Sequence, residues 1–335
     1  MKKILLSLVV ASSMFNVYAS GDLHEVISSS DAPLVNKTYY KLKRKWYSTK
    51  SGFSASVGTW YVNWDQTSTS NNMLQNQNDA LDVSYDIDPS VAAVLTLKAN
   101  YKLLSVKAEY YSTGITAKDD QEVSGFNLGL SVVDVIPYMD TEFRVNSANF
   151  KGGIEATKKS DGSNISPSSG TFETQVNIYD FIVYPFNKYL GVGYRKYKYD
   201  LPQDVYLVKN SDNTVLINGL IDVEYSGDFI TIALDNKRLK EEGFLYSAIV
   251  GIGQFTPSAE GYDKYLEEQD AKFAELFVGY GVVTNKRGLR LSLTGGYKYN
   301  KIQTDAKLKD NEDYTLMTQF DTEFHGPFVQ ITIIY

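Results

Sequence analysis

The sequence predicts an all-β chain closed into a single antiparallel transmembrane β-barrel of about twelve strands, with fourteen as the alternative count. Three observations carry this expectation. First, residues 328–335 alternate strictly and end on an aromatic: Val329, Ile331, Ile333 and Tyr335 share one face, and Phe328, Gln330, Thr332 and Ile334 share the other. A strand this apolar would be a hazardous free edge in water, but it suits a closing strand whose outer face meets lipid. Second, period-two alternation recurs along most of the chain. Third, short and long connections alternate, as they do when antiparallel strands cross a membrane repeatedly.

Taken in order, Lys2 and Lys3 precede the short apolar run 4–11, and Val17-Tyr18-Ala19 offers a cleavage point before Ser20. Residues 1–19 therefore read as a secretory signal peptide. The run falls short of the roughly 20 residues a membrane-spanning helix needs. Residues 20–52 read as a periplasmic N-terminal extension, with a linker at 28–33 and a basic stretch at Lys41-Leu42-Lys43-Arg44-Lys45. That extension is either a solvated tail or a plug lying against acidic lumen groups.

The barrel occupies residues 53–335, with strands expected at 53–64, 91–101, 103–113, 123–133, 138–150, 171–184, 189–200, 227–235, 243–255, 272–284, 288–301 and 326–335. The eleventh shows the pattern well: Leu289, Leu291, Leu293, Gly295, Tyr297 and Tyr299 alternate with Arg290, Ser292, Thr294, Gly296, Lys298 and Asn300. Connections after even strands are short, and those after odd strands are mostly long: 65–90, 114–122, 151–170, 201–226, 256–271 and 302–325. Turn formers fill these long segments, as in 66–72 and 160–164. Residues 79–87, 205–209 and 314–324 have strand character of their own and are placed as extensions above the membrane. Two would have to span it to make fourteen.

Composition narrows the role. The 335-residue chain has no Cys, which excludes disulfides, thiolate metal sites, a Cys nucleophile and a lipoprotein anchor. A formal net charge of −7 disfavours nucleic acid as a partner. The mean hydropathy of −0.27 fits a barrel in which every second strand residue faces lipid. The 26 Tyr and 16 Phe suit a pleated surface and a membrane interface. Tyr61, Trp64, Tyr101, Tyr138, Tyr184, Tyr189, Tyr297, Tyr299 and Tyr335 are expected in two interfacial girdles, with a sugar-binding track as the alternative.

The face opposite the apolar one carries charges that are expected to line the lumen: Lys98, Lys107, Glu109, Asp140, Glu142, Arg144, Glu173, Arg195, Glu275, Arg290 and Lys298. They would set ion selectivity in a constriction or form an internal ion-pair network that shuts the barrel. Gly191, Gly193, Gly251, Gly253, Gly279 and Gly281 share this face and leave lumen volume or permit curvature. Two features break the scheme. Asp180 has the parity of Val176, Ile178, Ile182 and Tyr184, which are expected to face lipid, and a bulge near Tyr179 would re-aim it. Lys196 and Lys198 share the outward parity of Leu190, Val192 and Tyr194, near the strand's outer end.

The signal segment, the alternation, the loop asymmetry and the ending Ile331-Thr332-Ile333-Ile334-Tyr335 together resemble bacterial outer-membrane β-barrel proteins of the porin-like class. The resemblance implies residence in the outer membrane, contact with its lipid and lipopolysaccharide, and folding by the barrel assembly machinery. Val329, Ile331, Ile333 and Tyr335 would be the assembly signal. The expected role is a narrow pore for passive passage of ions or small polar solutes, without cofactor or bound metal. The alternative is a plugged structural or surface-binding barrel displaying acidic loops. An outer-membrane lipid hydrolase comes third, because only His24 and His325 exist as candidate bases.

Overall fold

The computed structural model describes residues 52–71, 81–101, 103–114, 121–136, 139–158, 170–185, 189–208, 215–237, 242–286, 289–305, 307–310 and 315–334. The signal segment, residues 20–51 of the N-terminal extension, Tyr138, Tyr335 and residues 160–164 lie outside them. The strands are β1 (Gly52–Asn71), β2 (Leu81–Tyr101), β3 (Leu104–Ser112), β4 (Glu122–Ile136), β5 (Met139–Lys158), β6 (Gly170–Pro185), β7 (Leu190–Val208), β8 (Val215–Asp235), β9 (Gly243–Ser258), β10 (Gln269–Lys286), β11 (Leu289–Thr304), β12 (Lys307–Asp310) and β13 (Thr315–Ile334).

Each long strand pairs antiparallel with its sequence neighbour, and β13 pairs with both β11 and β1. The ring is therefore closed by twelve strands. β12 is a four-residue piece paired only to β13, continuing β11 beyond the ring proper. The segments that could have made fourteen are extensions: β2 begins at Leu81, β7 runs to Val208 and β13 begins at Thr315.

Alternation sets the two faces. Val57, Leu95, Val106, Leu128, Val192, Ile232, Ile252, Val278, Leu293, Val329 and Ile331 are exposed outward and form an apolar belt. Backbone groups inside the belt are committed to the inter-strand ladder, as a hydrocarbon environment demands, with a break where Tyr61 and Val62 of β1 pass Gly326 and Pro327 of β13. Above it the outer wall turns polar, with Lys198 facing Glu224 at 3.7 Å and Lys301 facing Glu323 at 3.6 Å. The expected loops 65–90, 201–226 and 302–325 are largely strand. Once the wall leaves lipid, its outer face has no need of apolar residues, so the hydrophobic period fades while pairing continues: Thr67 pairs with Ser84 and Asp321.

The girdle expectation needs two corrections. Tyr61, Tyr101 and Tyr297 are outward and exposed, whereas Trp64 and Tyr184 are buried in the interior. A third correction concerns β6. Val176, Ile178, Asp180, Ile182 and Tyr184 all point inward and are buried, and Tyr179 and Phe181 face out. Pairing is continuous through Tyr179 with Val145 and Lys196, so no bulge is present. Glu173, expected in the lumen, is consequently on the outer face, opposite Lys151.

The upper part of the ring differs from the part inside the belt. β3 and β4 stop at Ser112 and Glu122, and beyond them Leu81–Asp86 of β2 pair directly with residues 153–158 of β5. A bulge at Asp88-Pro89-Ser90, where Val62 pairs Ser90 and Trp64 pairs Ile87, lets β2 change partner. Above the hairpin β2 and β5 are thus direct neighbours, and the β6–β7 ladder extends no higher than Val176 and Tyr199. The wall there is also flattened, because β1 and β2 touch β7 across the interior.

Inner-face glycines make room for aromatic rings: a Cβ on Gly227 would strike Phe255 and Phe229, and one on Gly251 would strike Phe273. Gly129, whose nearest neighbour would be Lys107 Cβ at 3.8 Å, has space. Gly251→Leu is therefore expected to destabilise the barrel by about 1–3 kcal/mol or more, read as a lower urea midpoint in detergent, and Gly129→Ala to leave the midpoint in place.

Candidate functional site

The lumen has two storeys. Toward the end that carries Gly52 and Ile334 it is lined by charged and small side chains, and beyond mid-height it is filled with aromatics.

The lower storey holds three ion-pair groups, each joining strands that are not neighbours in the ring. In the first, Lys107 Nζ (β3) lies 2.8 Å from Glu109 Oε2, and Lys298 Nζ (β11) reaches Glu109 Oε1 at 3.6 Å. Thr96 Oγ1 donates to Glu109 Oε2 and accepts from Gln330 Nε2. In the second, Arg144 Nε and Nη2 (β5) donate to Glu142 at 2.9 and 3.0 Å, and Nη2 also reaches Asp235 Oδ2 at the end of β8, 3.3 Å away. Tyr184 Oη donates to Glu142.

In the third, Arg195 (β7) grips Asp180 (β6) with two parallel hydrogen bonds of 2.5 and 2.8 Å. It also donates to Glu275 Oε2 (β10) at 2.7 Å and to Tyr197 Oη at 2.9 Å. Its guanidinium stands 4.3 Å over the Phe273 ring. Arginine suits this position because one planar group serves a bidentate carboxylate, a second acid and a π face together.

Of the residues expected to line the lumen, these groups gather Lys107, Glu109, Glu142, Arg144, Arg195, Glu275 and Lys298. Lys98, Asp140 and Arg290 also face inward, nearer the lower mouth, and Glu173 does not. Sequence reasoning missed Asp180, Asp235 and Lys237. Asp180 was findable from the outward run Tyr179, Phe181 and Val183. Lys237 had no signal, because it sits in the turn after β8. That lysine as a whole is exposed, yet its Nζ lies 4.0 Å over the ring of Phe277. Burial of the head, reinforced by Lys107 and Lys298, pushes its pKa down to about 8 against the opposing pull of Asp235 and Glu109.

The upper storey is a packed aromatic core. Trp64 stacks on Phe150 and Phe172 with centroids 5.0 and 5.4 Å apart, and Trp60 meets Phe324 edge-on at 4.6 Å. Across the interior Phe320 lies 4.7 Å from Tyr225 and 5.4 Å from Phe255. Tyr199 Oη of β7 donates to Gln66 Oε1 of β1, and Tyr85 Oη of β2 donates to the Pro202 carbonyl of β7. These bonds tie opposite walls together. Trp64, Tyr197, Tyr199, Phe229, Phe255 and Phe320 are at most 1% exposed.

His325 stands apart from the lumen, on the outer wall above the belt. Its Nδ1 lies 2.6 Å from Tyr297 Oη and its Nε2 3.1 Å from Asn63 Nδ2, with Glu323 at 3.8 Å and Asp65 at 4.0 Å. None of these partners is a Ser or Thr hydroxyl.

A closed antiparallel ring with an apolar belt outside and a polar-to-aromatic interior is the architecture of bacterial outer-membrane β-barrels, and this chain has it. No family model and no curated protein matches the sequence. Among solved structures it is similar to the toluene transporter TodX of P. putida (11% identity, 85% of this chain and 90% of that one, TM-score 0.31). It is also similar to the outer membrane protease OmpT of Escherichia coli (8%, 86% and 98%, 0.34) and to the translocator domain of the autotransporter NalP of Neisseria meningitidis (9%, 86% and 95%, 0.35). A transporter, a protease and a translocator at such distances share the barrel and nothing finer with this chain.

Removing one member of the buried Arg195–Asp180 pair leaves an uncompensated charge. Arg195→Met is expected to lose about 3–5 kcal/mol of stability, measured by denaturant unfolding in detergent. The double change Arg195→Met with Asp180→Leu is expected to recover part of that loss.

Proposed function

We propose that this chain is an outer-membrane barrel whose lumen is stopped by its own side chains, acting at its two rims without passing solutes along its axis. The observation that supports this best is the contact between opposite walls. Tyr199 is bonded to Gln66 across the interior, and Trp64, Phe172 and Phe320 fill the space around that bond. An ion crossing this layer would shed its water without finding the carbonyl or charged ligands that a conducting filter provides. The pore expectation drew on the polar inner face. That face is here a vestibule beneath the aromatic layer, with Lys107 and Glu275 still 36% and 39% exposed.

In this reading the end carrying Gly52 and Ile334 faces the periplasm. The segment 1–19 is removed on export, and the polar upper wall rises through lipopolysaccharide to present its loops. The role is non-enzymatic, in keeping with the hydrogen-bond partners of His325. The outward row Val329, Ile331 and Ile333, completed by Tyr335, serves as the signal for the assembly machinery.

Single-channel recording on the refolded chain in a planar bilayer tests the closed lumen. The unaltered protein is expected to be silent, and the triple variant Trp64→Ala, Phe172→Ala, Phe320→Ala to give discrete conductance steps. Steps from the unaltered protein would restore the pore reading. Deletion of Tyr335 is expected to lower the amount of barrel in the outer membrane several-fold, judged by fractionation, and undiminished insertion would remove the assembly role.

A further inference from the structure

We propose that the upper rim takes an extended cationic peptide, in which Lys or Arg alternates with apolar residues, as an added strand along the free edge of β8 at residues 215–223. The proposal rests on the reading that the barrel acts at its rims. It needs no closed lumen, so conductance tests the stopped lumen and peptide binding tests this edge.

The backbone supplies the first part of the case. β8 pairs with β9 from Asp235 opposite Ser247 up to Glu224 opposite Ser258, where β9 ends. In the segment that follows, the backbone bonds are local: Tyr262 N–H donates to Ala259, Tyr265 to Tyr262 and Leu266 to Asp263. Among the described residues, 215–223 of β8 are paired only with β7. The β6–β7 ladder stops at Val176 and Tyr199, so β7 and β8 rise beyond it as a two-stranded ribbon. On the β7 side this ribbon meets β1 and β2, and Tyr85 Oη donates to the Pro202 carbonyl. On the β8 side every second residue offers an N–H and a C=O with no ladder partner among the described residues. Such an edge is a template for another strand, and a two-stranded ribbon gains stability from a third.

The two faces of the edge say what that strand must carry. On the inner face Val223 is buried, while Ile221 and Tyr262 are partly buried and pack on the core. Apolar side chains of an added strand would extend this cluster. On the outer face Asp222 and Glu224 are exposed, and Asp200 stands directly opposite Glu224 in the β7–β8 ladder. Lys198 Nζ, 3.7 Å from Glu224, offsets one of these three charges. Burial, with Glu224 and Asp222 adding to it, raises the Asp200 carboxyl above its ordinary range against the pull of Lys198. The segment leaving β9 is acidic as well, with Glu260, Asp263 and Glu268 exposed beside Lys264. Like charges along an edge oppose pairing with a second copy of this chain, because carboxylates would be set against carboxylates. A strand with Lys or Arg on its outer face answers the same charges with the opposite sign.

The test is fluorescence anisotropy with a short dye-labelled peptide in which Lys and Val alternate, added to the refolded full chain in detergent at constant ionic strength. Folding of each variant is checked by heat-modifiable gel mobility. Saturable binding of one peptide per chain is expected, with hydrogen exchange slowed in residues 215–223 and unchanged in β11. Asp222→Asn with Glu224→Gln should weaken binding about fivefold, the loss of two exposed ion pairs. Asp305→Asn with Glu323→Gln, which removes the same charge elsewhere on the outer wall, should leave it unchanged. The same peptide N-methylated throughout its backbone should not bind. Absence of saturable binding by the folded chain would overturn the proposal. So would equal binding of the N-methylated peptide, or equal losses in the two double variants, which would mark general charge attraction. A chain that is dimeric by light scattering, with exchange at 215–223 already slow and no peptide bound, would give the edge to a second copy and overturn it as well.

Discussion

Where β3 and β4 end, β2 has to lie directly against β5, and the rest of the structure follows from that constraint. β2 must leave β3 and find β5. It does so through a proline-containing bulge, at the point where a missing N–H costs the ladder nothing. The shortened perimeter brings β1 and β2 against β7, so the interior there must be filled as the space between two packed sheets is filled. Aromatic rings suit that space because each covers a large area and Tyr carries a hydroxyl that can reach the opposite wall. Gly227 and Gly251 belong to the same solution, since they are small where Phe255 and Phe273 need to lie.

Below that layer the walls stay apart, and the chain uses long charged side chains to reach between them. Buried ion pairs of this kind are poor sources of net stability, because desolvation offsets most of the attraction. What they supply is position. Arg195 can satisfy Asp180, Glu275 and Tyr197 together only if β6, β7 and β10 hold one relative height. The polar storey therefore fixes the stagger of strands that share no ladder, while the aromatic storey fixes their separation.

The sequence made the barrel legible because lipid enforces a strict alternation where the wall crosses it. Leu289 to Tyr299 and Val329 to Ile333 could be read directly. Legibility failed where that enforcement stops. In β6 only Tyr179, Phe181 and Val183 lie in the belt, while the longer run from Val176 to Tyr184 is apolar because the interior is packed. The more apolar face of β6 is the inner one, so an assignment by apolarity alone turns the strand over and carries Glu173 inward. The charged residues of the lower storey were found by parity alone, but their partners were not. Pairing across a lumen joins β3 to β11 and β5 to β8, and no local pattern encodes such contacts. Lys237 lay in a turn, where parity has no meaning.

The early end of the β3–β4 hairpin also sets a gradient of width along the axis. Neighbouring strands stand about 4.8 Å apart, so the loss of two of them removes roughly 10 Å of wall. The wall formed by residues 52–334 is therefore fuller at the end of Gly52 and Ile334 than beyond the β3–β4 hairpin. Material entering from that side meets the charged vestibule first, whereas material arriving from the other side meets the packed aromatic layer. Such a shape has a built-in direction, and it comes from the length of one hairpin.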